Sequence, residues 1–176
     1  MYEPGIAPSL SGMGAIAPLG PLGRAVLRCR EADIDRLSAQ LGLPLPRATC
    51  RSAHDIGLSA LWLGPDEWLI LTSAPTDGWV AELDARSGAS RCSLVDVSHR
   101  QVALSVRGLA AERILAAGCA LDLSLSAFPV GMCTRTMFAK AEIVLWRTAP
   151  DYFHIEVWRS FAKYVEALLR EAESEE

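Results

Sequence analysis

The stretch LWLGPDEWLIL, residues 61–71, carries large apolar side chains at both parities of a hairpin, and it restricts the fold more than any other segment. Side chains alternate between the two faces of a strand, so a ribbon with one solvated face is apolar only at every second position. Here Trp62, Leu63, Trp68, Leu69, Ile70 and Leu71 fill both parities. Both faces need cover: helices suit one, and a second sheet or a partner protein suits the other. Pro65 cannot supply the positive φ needed at the first central position of a two-residue I′ or II′ turn. A longer loop over residues 64–67, built on a type I turn, is therefore predicted. That register sets Leu63 opposite Trp68 and Trp62 opposite Leu69.

The hairpin sits inside a regular order of elements. GRAVLRCR alternates Ala25, Leu27 and Cys29 against Val26 and Arg28, which predicts a strand. EADIDRLSAQLG spaces Ile34, Leu37 and Leu41 at helical intervals, with Gly42 placed to end the helix. Pro44 and Pro46 then force an extended connection. Beyond the hairpin, Thr76 is a candidate N-cap for DGWVAELDARSG, whose Trp79, Val80 and Leu83 share a face. CSLVDVS returns as a strand, so this half reads β-α-β-β-α-β, the ferredoxin-like order.

The second half repeats the plan. QVALSVRG alternates as a strand, LAAERILAAG reads as a helix ended by Gly118, and AKAEIVLWR with YFHIEVW forms a hairpin around residues 148–151. Ser160 then starts FAKYVEALLREA, where Phe161, Tyr164, Val165, Leu168 and Leu169 form one stripe. The fold class expected is α+β: two ferredoxin-like βαββαβ-type halves, residues 24–98 and 99–172, packed as one body. An acidic tail, residues 173–176, follows. A Gly/Pro-rich arm, residues 1–23, precedes them, with five Gly and four Pro that exclude a helix or an inner strand. Its apolar Leu10, Met13, Ile16, Leu19 and Leu22 leave two readings open, a segment that orders on a partner and a mobile tail.

Composition removes several function classes. The chain has 51% hydrophobic and 22% charged residues, enough apolar material for a sizeable core in 176 residues. A net charge of −4 offers no electrostatic footprint for nucleic acid or an anionic membrane. Neither a signal-peptide pattern nor a membrane-length apolar run is present, so a cytoplasmic protein is expected. Five cysteines (Cys29, Cys50, Cys92, Cys119 and Cys133) lack the spacing of a metal set and fit reduced thiols.

Candidates for chemistry are sparse. His99 lies near Asp96 and Ser98, but close neighbours on extended chain point different ways and do not form a triad. His54 sits in a polar connection, whereas His154 shares a strand face with Glu156 and is expected to pair with it. Arg100, Arg107 and Arg135 suit a carboxylate or polyglutamate, or are charged strand ends. Trp62, Trp68, Trp79, Trp146 and Trp158 suit a core, an interface or a pocket for a flat heterocycle. No catalytic or metal-binding residue is expected.

Taken together, LWLGPDEWLIL, VDVSHRQVALSVRG, AERILAAGCALDLSL, FPVGMCTRTMFAKAEIVLWR and FHIEVWRSFAKYVEALL resemble the gamma subunit family of heterotetrameric sarcosine oxidase, over about residues 24–170. The resemblance implies the folate-binding fold of the aminomethyltransferases. It also implies an accessory subunit of a cytoplasmic enzyme that oxidatively demethylates sarcosine to glycine, forming hydrogen peroxide, with the methyl carbon passing to tetrahydrofolate or leaving as formaldehyde. Alpha is then the direct partner, with beta and delta in the same complex. FAD, FMN, NAD, zinc and tetrahydrofolate belong to the other subunits, and no cofactor is expected on this chain. Trp68, Arg100 and Arg135 are the candidate partner-contact residues. A folate-binding module that assists one-carbon transfer is the alternative, and an independent transferase a third reading.

Overall fold

A computed structural model describes residues 15–55, 57–73, 75, 77–88 and 91–175. Thr76, and Leu10 and Met13 of the arm, lie outside the described residues. Among those described, ten strands form two five-stranded antiparallel sheets. The first sheet contains β2 (Gly23–Cys29), β3 (Ser52–Asp55), β4 (Leu58–Gly64), β5 (Glu67–Thr72) and β6 (Cys92–Asp96), in the order β3-β4-β5-β2-β6. The second contains β1 (Ala15–Pro18), β7 (Gln101–Arg107), β8 (Cys133–Phe138), β9 (Ala141–Ala149) and β10 (Tyr152–Trp158), in the order β1-β7-β10-β9-β8.

Strand parity decides what each face packs against. On β5, Trp68 and Ile70 join Ile34, Leu37 and Leu41 of α1 (Ile34–Leu41) and Leu83 of α2 (Trp79–Ser87) in one core. Ile143 and Leu145 of β9 and Phe153, Ile155 and Val157 of β10 pack with Ile114 and Leu115 of α3 (Ala111–Ala116) and Val165 and Leu169 of α4 (Ala162–Ser174). Leu61, Leu69 and Leu71 meet Cys133, Val144 and Trp146 in a third cluster, where the inner faces of the two sheets touch. Helices, sheet, sheet and helices thus form four layers, and the two-faced hairpin is covered on one side by helices and on the other by the second sheet. Gly42 closes α1 in the left-handed region at φ 65°, and its N–H donates to the Ser38 carbonyl, as a C′ glycine does.

The structure departs from the sequence reading at particular elements. Residues 15–18, assigned to the arm, form a strand that pairs antiparallel with β7 from Ala15↔Arg107 to Pro18↔Leu104, and Ile16 enters the second core. Glycine and proline density reads as a breaker signal, yet an edge strand pairs on one side only and tolerates Pro18. β1 therefore fills beside β7 the place that β6 fills beside β2. The hairpin turn is Pro65-Asp66, with Gly64 paired to Glu67. A register shift between Trp62 and Gly64 sets Trp62 opposite Trp68, instead of Leu63 opposite Trp68, and Leu61 opposite Leu69. Edge strands β3 and β8 were not expected, and Glu173 and Ser174 of the acidic tail belong to α4.

Candidate functional site

The inner faces of the two sheets hold the polar groups most in need of explanation. On β2, period two places Arg24, Val26 and Arg28 on the face opposite the helices; on β10 it places His154, Glu156 and Trp158 there. Arg24 Nε donates to Glu156 Oε2 at 2.5 Å, with side-chain exposures of 4% and 0%. His154 Nε2 lies 2.7 Å from Glu156 Oε1, so the pairing expected from their shared strand face is present. Arg24 Nη1 also donates to the Leu22 carbonyl at 3.0 Å, and the Arg24 N–H donates to Ser98 Oγ at 2.9 Å. A buried carboxylate from the second sheet thus receives a buried guanidinium from the first. This ion pair joins the two sheets.

Elsewhere the same faces part to leave a cleft of about 330 Å³. Val26, Leu69, Val97 and Val144 form its apolar floor, and Arg28, Glu67, Arg100, Gln101, Arg135 and Trp158 supply its polar groups. Glu67, at the hairpin turn, accepts from Arg28 of the neighbouring strand and, at 2.7 Å, from Arg135 Nη2 of the other sheet. Burial opposes ionisation of Glu67, but hydrogen bonds from Arg135 and Arg28 and their positive charges outweigh it and hold the carboxyl below its ordinary range. The Arg100 guanidinium lies 5.1 Å from the Trp158 ring centroid. The Gln101 side-chain oxygen is buried without a hydrogen-bond partner among the described residues. The set can bind an acidic or amide-bearing group through guanidinium and carboxamide contacts.

A lowered carboxyl pKa has a definite consequence for stability. Glu67 stabilises the fold above its unfolded-state pKa of about 4.3, and this contribution is lost as pH falls through the lower folded-state value. Glu67→Gln is therefore expected to be less stable than wild type at neutral pH, with the difference shrinking in acid. Urea unfolding from pH 7 to below pH ~3 checks this. A difference that stays constant over the whole range contradicts the assignment.

The expected site residues separate on inspection. Trp68 is fully buried beneath the helices and donates from Nε1 to the Pro46 carbonyl at 2.8 Å. Its side chain has no outer surface to offer a partner, which corrects its selection as a contact residue. Arg100 and Arg135 both line this inter-sheet cleft, while Arg107 ends β7 at the pole opposite Gln101. Trp146 donates from Nε1 to Ser52 Oγ at 2.8 Å across the sheets. His99 lies exposed in the turn before β7, His54 is on β3, and His154 is bound to Glu156. Among the described residues, no group of three or more His, Cys, Asp or Glu could hold a metal ion, and no helix is long and apolar enough to cross a membrane. Sequence reasoning missed Arg24, Arg28 and Glu67; the available signal was Val26, an apolar residue between two arginines of the same parity.

Two antiparallel sheets packed inner face to inner face, each with helices outside, form an aminomethyltransferase-like fold. The glycine cleavage system aminomethyltransferase T of Bartonella henselae superposes with a TM-score of 0.67 at 16% identity, covering 89% of this chain and 45% of that one. Residues 31–175 match the Sarcosine oxidase, gamma subunit family, and the chain belongs to that family. Sarcosine oxidase subunit gamma of Corynebacterium sp. (strain P-1) is 32% identical over 140 residues, 79% of this chain and 68% of that protein. A chain of the heterotetrameric sarcosine oxidase of Corynebacterium sp. U-96, solved in complex with pyrrole 2-carboxylate, has a TM-score of 0.86 at 27% identity, with 94% of this chain and 87% of that one covered.

Proposed function

We propose that this chain is the accessory gamma subunit of a cytoplasmic heterotetrameric sarcosine oxidase, docked on the alpha subunit, with beta and delta completing the complex. The observation that carries this reading is its superposition on the heterotetrameric enzyme's chain over 94% of its own length. In this reading the complex demethylates sarcosine to glycine and forms hydrogen peroxide, and the methyl carbon passes to tetrahydrofolate or leaves as formaldehyde. FAD, FMN, NAD, zinc and tetrahydrofolate are held by the other subunits. Each sheet supports a ferredoxin-like half: β6-β2-β5-β4 and β1-β7-β10-β9 have one spatial order. The halves span residues 24–98 and 99–172, and β1 completes the second.

Arg100 and Arg135 at the cleft rim are the proposed contacts for alpha. Replacing each with Ala is expected to weaken retention of the alpha subunit about tenfold for at least one of them, as loss of a desolvated interface arginine does. Unchanged retention by both variants excludes this rim as the contact. The oxygen of Gln101, without a hydrogen-bond partner among the described residues and set in the cleft, favours the alternative, a folate-binding module that assists one-carbon transfer. Saturable tetrahydrofolate binding by the isolated chain in a calorimeter would support that alternative over a purely structural role.

A further inference from the structure

Two of the five cysteines face each other across a strand pair. In the β2–β6 ladder Cys29 lies directly opposite Cys92, and both thiols are free. The Val97 N–H donates to the Arg24 carbonyl at 2.8 Å, which marks residues 24 and 97 as a hydrogen-bonded pair. Alternation along the ladder then makes residues 29 and 92 a non-hydrogen-bonded pair. In agreement, the Cys29 N–H points the other way, to the Asp66 carbonyl at 3.1 Å. Such pairs hold their Cα atoms about 4.5 Å apart with side chains on one face, inside the span of about 4.4–6.8 Å that a disulfide bridges. Cys29 belongs to the core beneath the helices, and Cys92 packs against that core from the edge strand.

We propose that Cys29 and Cys92 are a peroxide-responsive thiol pair that closes into a reversible cross-strand disulfide. Their unequal exposure assigns the order of events. Cys29 is buried, and burial, followed by the Cys92 thiol and the acidic groups of Asp33 and Asp66, pushes its thiol up to about 11. Cys92 is half-buried on an edge strand and is the sulfur a small oxidant reaches first. Its thiolate attacks one oxygen of hydrogen peroxide, the O–O bond breaks, and hydroxide takes up the thiol proton to leave as water, giving a sulfenic acid. The Cys29 sulfur then attacks the sulfenic sulfur. The S–S bond forms, the S–O bond breaks, and hydroxide leaves with the Cys29 proton as a second water.

Cys50 and Cys133 also approach each other, the Cys133 N–H donating to the Cys50 carbonyl at 3.0 Å, but neither lies in the β2–β6 ladder. Cys133 lies opposite Trp146, is fully buried, and is pushed up to about 12 by burial. Closing the pair ties edge strand β6 to the sheet interior, and β6 and the residue after it supply Val95 and Val97 to the wall of the inter-sheet cleft. Oxidation therefore stiffens one side of the candidate binding surface. The thiol geometry is independent of the function proposed above, which would place the pair in an assembly that makes its own oxidant.

The test is to treat the full chain with hydrogen peroxide and digest it without reductant for mass spectrometry. A peptide joining residues 29 and 92 with two hydrogens lost is expected, together with a rise in thermal midpoint of about 5–10 °C. Dithiothreitol should reverse both. In Cys29→Ser the sulfenic acid at Cys92 has no resolving thiol and should be captured by dimedone, whereas Cys92→Ser should form no disulfide at Cys29. Free thiols at both positions after peroxide, or a disulfide joining a different pair, overturns the proposal. Absence of a dimedone adduct at Cys92 in Cys29→Ser overturns the assigned order.

Discussion

Glu156→Ala is expected to cost about 3–5 kcal/mol of folding stability, the usual result of leaving one member of a buried ion pair alone. Glu156 is fully buried and Arg24 nearly so, and the carboxylate also holds His154. Its loss strands a guanidinium between two sheets without its carboxylate acceptor. Domains are stable by only about 5–15 kcal/mol, so this one change removes a large share of the margin. Replacing both partners, Arg24→Met with Glu156→Leu, is expected to recover most of the loss, because neither charge then remains to be desolvated. Urea unfolding of the single and double variants measures the coupling. A cost below about 1 kcal/mol for Glu156→Ala would mean that the pair does not bind the sheets together.

Arg147→Met is expected to be comparably severe, at about 3–5 kcal/mol, for a different reason. The Arg147 side chain is fully enclosed and does the hydrogen bonding for an irregular segment. Its Nη1 donates to the Leu123 and Phe128 carbonyls at 2.7 and 2.9 Å, its Nε donates to the Pro150 carbonyl at 3.1 Å, and Nη2 pairs with Glu112. The guanidinium also covers the Phe153 ring at 4.6 Å from the centroid. Methionine fills comparable space but leaves the Leu123 and Phe128 carbonyls without their donor. Arg147→Lys keeps the charge yet lacks the planar fork and should restore only part of the loss. Limited proteolysis should show the connection between α3 and β8 cut first in Arg147→Met. A variant within about 1 kcal/mol of wild type, with that connection still protected, would contradict this role.

The parts of the fold legible in the sequence are those where local pattern and burial agree. Ile34, Leu37 and Leu41 announced α1, and two-sided apolarity in residues 61–71 announced a ribbon covered by helices on one face and by a second sheet or a partner protein on the other, of which the structure shows the sheet. The parts that were not legible are edge elements and long-range pairings. β1 was hidden because proline and glycine weigh against an inner strand but not against an edge, and its partner β7 lies far along the chain. The Trp62–Trp68 register was missed because a shift at the turn carries no signal in alternation alone.

The site was less legible still. Arg24 and Glu156 are far apart in sequence, and strand alternation offers Glu156 only His154 as a partner. Their pairing follows from the stacking of two sheets, which strand parity does not specify. Likewise Trp68 carried an interface residue's chemistry, and only its parity relative to α1 and α2 decided that it belongs inside. Arg135 and Arg100 reached one cleft because β8 and the turn before β7 lie over the same opening.

Assembly is the property that tests the proposed function most directly. The chain should be co-expressed with alpha, beta and delta partners, and complex mass and sarcosine-dependent peroxide formation measured with and without it. A stoichiometric four-chain complex that loses assembly or activity when this chain is omitted is the expected result. A free monomer of this chain beside a fully active three-chain enzyme would contradict the accessory-subunit reading.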